Sequence, residues 1–367
     1  GEEIGRFRFA AEPLSFMIAP MTTETMTQTK DEAVPARGAA SSMEAAGASA
    51  PSSPKDATGS VRRTALRGDT PVRNHTLGLT VSYNGAPFSG FARQPGQLTV
   101  QGEIEQALAL LFKRDVETTC AGRTDAGVHA LGQVMSFDVD DVDLRGRSLP
   151  SLRRSLNALT HDAITVREVE PKPLGFSARF DAQAREYHYH LCVDSTSPIF
   201  MKDFSWFVPG GLDVFAMEAG ARHLIGEHDF KSFCLAASAE GKPTYRNVRE
   251  ISFHPETVMG ENILAIKVVG NAFLHSMVRT MVGTLVLVGR GKRTPDWVGE
   301  VLAARNRQAA GRNAPAEGLV LWHVTYDEQH FYYDPRPSGL RGELASDQHL
   351  SDAIEDIPSV LTPEEPA

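Results

Sequence analysis

The order strand, helix, strand, strand, helix, strand is written twice along this chain, and few folds satisfy such a repeat. In the first copy Leu77, Leu79, Val81 and Tyr83 alternate with Gly78, Thr80 and Ser82, the pattern of a strand with one face buried. Ile104, Ala107, Leu108, Leu111 and Phe112 recur at helical spacing. Residues 116–121 and 133–139 read as strands, 150–159 as a helix and 164–169 as a strand. The second copy opens with Tyr187, Tyr189, Leu191 and Val193 alternating with His188, His190 and Cys192. A helix over 213–225 follows, capped by Asp213, then strands over 248–254 and 263–269. A long helix over 272–288, a further helix from Thr294-Pro295 and a strand over 319–326 complete it. The expected class is α+β. Two ferredoxin-like (β-α-β-β-α-β) halves, 74–175 and 176–334, would form a mostly antiparallel sheet with helices packed on one face and a central active-site cleft.

Composition bounds the rest. Residues 1–73 are rich in Ala, Ser, Thr, Pro and Glu and carry no aromatic after Phe16, so a disordered N-terminal extension is expected, with Met21 a candidate start. Residues 335–367 hold 2 basic and 7 acidic residues and read as a disordered acidic tail. No apolar run reaches the length of a membrane span, and 14–19 is too short for a signal-peptide core. Three scattered cysteines without a CxxC pair support neither a disulfide framework nor a zinc site. A cytoplasmic location is expected. The net charge of −9 argues against a purely electrostatic nucleic-acid binder, and composition alone shows no basic face.

Three places could carry chemistry. In the string from Cys120 to Gly132, Gly122, Thr124 and Gly127 build a turn that holds Arg123 and Asp125 between two strand-like runs. Asp125 either bonds its own backbone, as turn aspartates do, or projects into a cleft. The long helix is apolar nearly all round yet has Arg279 in its middle, with His275, Ser276 and Gly283 on the same face. An unpaired buried guanidinium is costly, so Arg279 needs a carboxylate. Asp125 is one candidate, and the alternative is a structural pair with Asp229, Glu227 or another acid. Tyr187, at the start of its strand, packs in the core or stacks on a flat ligand. GxGxxG, P-loop, HExxH and GxSxG patterns are all missing, so the usual redox, nucleotide-hydrolysing, metalloprotease and serine-hydrolase readings lose their support.

The string Ala121-Gly122-Arg123-Thr124-Asp125-Ala126-Gly127-Val128-His129 resembles the signature of the bacterial TruA tRNA pseudouridine synthases. Further matches run in the same order: Tyr83-Asn84-Gly85, Phe176-Ser177-Ala178-Arg179-Phe180, Ala184-Arg185-Glu186-Tyr187, Gly226-Glu227-His228-Asp229-Phe230, Asn271-Ala272-Phe273-Leu274-His275, Met277-Val278-Arg279 and Ala316-Glu317-Gly318-Leu319. The resemblance covers residues 75–327. It implies a homodimer that converts uridines 38, 39 and 40 in the anticodon stem-loop of tRNA to pseudouridine, with no cofactor. It also implies Asp125 as the catalytic residue, with Tyr187, Arg123 and Arg279 contacting substrate or its surroundings. Both tails fall outside the shared core, the 234–245 loop matches loosely, and Glu186 stands where relatives often carry a basic residue. Two rivals remain at this point, a non-catalytic RNA-binding module and a small-molecule enzyme on the same scaffold.

Overall fold

The computed structural model describes residues 73–235, 240–241 and 243–327. The expected N-terminal extension (Arg73 apart), the candidate start at Met21 and the acidic tail lie outside the described residues. So does part of the 234–245 loop. Among the described residues no helix is long and apolar enough to cross a membrane.

Alternating apolar residues make strands here because every second side chain falls on one face. Among the described residues ten strands share one sheet: β1 (His75–Tyr83), β2 (Thr119–Cys120), β3 (His129–Val139), β4 (Ile164–Lys172), β5 (Ala182–Cys192), β6 (Trp206–Phe207), β7 (Gly226–Asp229), β8 (Tyr245–Val258), β9 (Glu261–Gly270) and β10 (Leu319–Tyr326). Their order is β4-β1-β3-β10-β5-β9-β8-β7, with β2 also on β3 and β6 also on β5. Neighbours run antiparallel except at β3/β10 and β5/β6. The last strand therefore lies in the middle of the sheet. It pairs with β3 through Val320/His129 and Leu321/Ala130, and with β5 from Leu319/Tyr189 to Tyr326/Ala182.

The helices are α1 (Val100–Phe112), α2 (Asp141–Leu144), α3 (Leu149–Leu159), α4 (Val214–Arg222), α5 (Met277–Gly289) and α6 (Trp297–Ala304). The Thr99 hydroxyl accepts from Gly102 N at 3.2 Å to start α1, and Asp213 caps α4 as its sequence position suggests. Ile104, Leu108, Leu152 and Leu156 of α1 and α3 are buried with Leu79 and Met135 of the sheet. Met217, Met281, Val282 and Leu285 of α4 and α5 are buried with Ile266.

Several expected boundaries shift, each for a local reason. The strand expected over 116–121 shrinks to β2, because α1 side chains take over the Thr118 backbone. Gln101 Nε2 donates to Thr118 O at 3.1 Å, and Thr118 N donates to Glu105 Oε1 at 3.0 Å. The helix expected from 272 starts at Met277, because Ser276 sits in the left-handed region at φ 58° and breaks the run. His275 and Ser276 thus belong to a turn leading into α5 and not to its face. Tyr187 lies within β5, which begins at Ala182, and not at the strand's start. The last helix begins at Trp297, one turn into the stretch that Thr294-Pro295 opens.

Candidate active site

The turn bearing Asp125 is pinned on several sides. Ala121 N donates to Val134 O at 2.8 Å, and Gln133 Nε2 donates to Gly122 O at 2.6 Å. The Thr124 hydroxyl lies 2.8 Å from the buried Tyr83 hydroxyl, and Phe91 N donates to Thr124 O at 3.1 Å. Gly127 supplies the positive φ of 79° that closes the turn. From this turn the Asp125 carboxylate reaches across to the segment around α5.

Two donors meet it there, and an imidazole lies close by. Arg279 Nη1 donates to Asp125 Oδ2 at 2.9 Å, and the Ser276 hydroxyl donates to the same oxygen at 2.7 Å. His275 Nε2 lies 3.2 Å from Oδ1. Of the three acids that could have paired Arg279, Asp125 is the one that does. Asp229 instead faces Arg305 at 3.3 Å. Arg279 also donates through Nε to Ala314 O at 2.8 Å, so the fork is held from two directions. The Asp125 side chain keeps 21% of its surface exposed, against 16% for Arg279, so the pair is sheltered while the carboxylate still meets the cleft.

That cleft encloses about 860 Å³, and Arg123, Asp125, Tyr187, Phe273 and His275 all line it. Tyr187 is only 7% exposed, and its ring meets Phe273 edge-on at 5.3 Å. Burial pushes its phenol well above the ordinary value, and the nearby Asp125 charge adds to this. Arg123 stands exposed on the cleft wall. Three of the four residues singled out from the sequence, Arg123, Asp125 and Tyr187, therefore line one space, and Arg279 reaches it through Asp125. Cys120 also lines the cleft, but burial pushes its thiol up to about 11, far from a thiolate at neutral pH. Among the described residues no group of three or more His, Cys, Asp or Glu could hold a metal ion.

One contributor escapes the sequence reading. Arg185 is buried, and its guanidinium donates only to backbone carbonyls: Ala121 O at 3.1 and 2.9 Å, Ala182 O at 2.9 Å, Asn271 O at 2.6 Å and Arg179 O at 2.7 Å. It ties the entry of the Asp125 turn to the loop that delivers His275 and Ser276. The available signal was parity, since Arg185 shares a strand face with Tyr187, Tyr189 and Leu191. Arg123, Arg179, Arg185 and Arg246 all line the cleft, and among the described residues none of the four is paired with a carboxylate. A chain that is acidic overall thus presents a basic cleft.

A family model described as tRNA pseudouridine synthase matches residues 79–181 and 221–327. The chain belongs to the tRNA pseudouridine synthase family. The tRNA pseudouridine synthase A of Bacillus subtilis (strain 168) is 42% identical over 255 residues, 68% of this chain and 99% of that protein. The protein of the same name from Bacillus pumilus (strain SAFR-032) is 44% identical over 255 residues, 68% of this chain and 98% of its own. Members of this family are isomerases, which removes the non-catalytic module from consideration. Asp125 and Arg279 fall in different matched segments of the synthase, one on each side of the interval that contains Tyr187 and Arg185.

Proposed function

We propose that this synthase isomerises uridines 38, 39 and 40 in the anticodon stem-loop of tRNA to pseudouridine, in the cytoplasm, as a homodimer and without a cofactor. The reaction breaks N1–C1′, turns the uracil, joins C5 to C1′ and releases the C5 proton as N1 regains one. No atom is gained or lost, so the stoichiometry calls for no second reactant.

Asp125 supplies the anion required beside C1′. Arg279, Ser276 and His275 orient it, and the sheltered ion pair holds its position when bound RNA displaces water. Tyr187 forms the wall against which the flipped uracil lies. Its phenol stays protonated, which suits hydrogen-bond donation rather than service as a standing base. Arg123 occupies the space the nucleotide vacates, since chemistry on a stacked base requires its extrusion. Arg123, Arg179 and Arg246, without carboxylate partners among the described residues, match the RNA backbone.

Two ferredoxin-like halves, 74–175 and 176–334, with helices on one face, complete the reading. The strand orders β4-β1-β3-β2 and β10-β5-β9-β8 support it, since each places its four strands in the same sequence. The observation that carries the function is the placement of Asp125 in an open basic cleft by donors from the opposite half. Asp125→Ala should leave tRNA binding intact and abolish pseudouridine, read by carbodiimide labelling of the product. Normal product formation would remove Asp125 from the chemistry. Sedimentation with and without tRNA tests the dimer.

A further inference from the structure

Phe180 is a large aromatic side chain with 80% of its surface exposed, and it stands on the lining of the cleft that holds Asp125. It is not on a loose loop. Asp181 N donates to Ser177 O at 3.1 Å, Ser177 N to Asp181 Oδ2 at 2.8 Å and Phe180 N to the Ser177 hydroxyl at 3.4 Å. The turn is anchored to the body as well. Ala178 N donates to the Ser136 hydroxyl at 3.0 Å, the Tyr326 hydroxyl to Ala178 O at 2.7 Å, and buried Arg185 to Arg179 O at 2.7 Å. A fold that fixes a turn this firmly fixes the position from which the side chain at its tip projects. Arg179 lies beside the ring, its guanidinium carbon 5.4 Å from the centroid.

We propose that Phe180, backed by Arg179, is a stacking platform for a nucleobase next to the target uridine. The inference rests on the tRNA reading above and extends it to a second base. Every nucleobase offers a flat π-face, and single-stranded and loop nucleotides are held by stacking on aromatic rings and guanidinium planes. Tyr187, only 7% exposed, is taken up by the target uracil, so a second base needs another ring. The charge of the surroundings favours RNA over a protein partner, because Arg123, Arg179 and Arg246 line the same cleft without carboxylate partners among the described residues. Extruding one uridine leaves its neighbour unstacked on one side, and a rigid ring at the rim restores a stacking contact for it.

The test uses the full chain and full-length tRNA. Phe180→Ala should raise KM by about 5- to 150-fold, the range that truncating a base-stacking aromatic spans, with the larger part of the loss in KM rather than kcat. Phe180→Trp should keep most of the affinity, and its added fluorescence should be quenched when tRNA binds. Phe180→Leu should resemble Phe180→Ala, because it restores apolar area without a π-face. An unchanged KM in Phe180→Ala would overturn the proposal. So would a Phe180→Leu protein as good as wild type, or a change in oligomeric state by sedimentation accompanying Phe180→Ala. Wild-type protein that binds tRNA but makes no pseudouridine would sink the functional reading itself, a result separate from any of these.

Discussion

At the scale of single residues, the site is one carboxylate with two donors, a neighbouring imidazole and a wall. Arg279 binds with a planar fork, one nitrogen on Asp125 and another on Ala314 O. A lysine in its place keeps the charge and loses the second tether. Arg279→Lys should therefore lower kcat on the order of 10²-fold through misplacement of Asp125, as measured under single-turnover conditions. Tyr187→Phe should reduce kcat while leaving KM close to wild type, since the ring stays and only the protonated hydroxyl goes. An unchanged kcat would reduce Tyr187 to packing. The need for an acid beside Arg279 was legible in the sequence because a guanidinium inside an apolar helix demands one, but on those grounds Asp125 was only one of the candidates. The Ser276 and His275 contacts were not legible in this form. They depend on a left-handed residue at Ser276, which hydrophobic periodicity does not register. Arg185 stayed hidden because arginine bonding only to carbonyls leaves no partner to look for along the chain.

At the scale of elements, boundaries follow hydrogen bonds more than apolar pattern. The strand at β2 is short because Gln101 and Glu105 compete for the Thr118 backbone, a contact between distant residues that local alternation cannot reveal. The helix α5 approaches the 311–314 segment so closely that a Cβ on Gly283 would lie 1.9 Å from Arg312 O. Gly283→Ala must push that segment away, and Ala314 O goes with it. The expected cost is about 1–3 kcal/mol of stability, together with lower kcat, because Arg279 loses its second tether. Thermal denaturation and turnover of one protein preparation check both. On β5, burial pulls the His190 imidazole from 6.5 down to about 4. The folded chain therefore resists a proton that the unfolded chain accepts. This penalty is absent above 6.5, grows as pH falls and levels off near 4. His190→Phe should flatten the decline of Tm across that window, and an equally steep decline would show that other groups cause it.

At the scale of the whole molecule, the net charge misled where its distribution informs. The chain carries −9, yet its cleft sets Arg123, Arg179, Arg185 and Arg246 against a single acid, Asp125. Affinity for tRNA should fall with rising salt, and Arg246→Ala should reduce the slope of log K against log salt by about 1 if Arg246 meets a phosphate. Titrations at several ionic strengths measure it. The repeated strand and helix order was readable from periodicity, since each segment alternates or winds on its own. The way the copies join was not. The parallel seam between β3 and β10 joins only two residue pairs and leaves no local mark.

That seam bears on how the protein comes into being. A ribosome delivers β10 after every other strand described here, yet its place is between β3 and β5. Until it emerges, two open sheet edges must wait without their common neighbour, and Asp125 waits with them for a settled counterpart. A ribosome stalled before Leu319 would therefore leave β3 and β5 as two sticky margins for chaperones to shield.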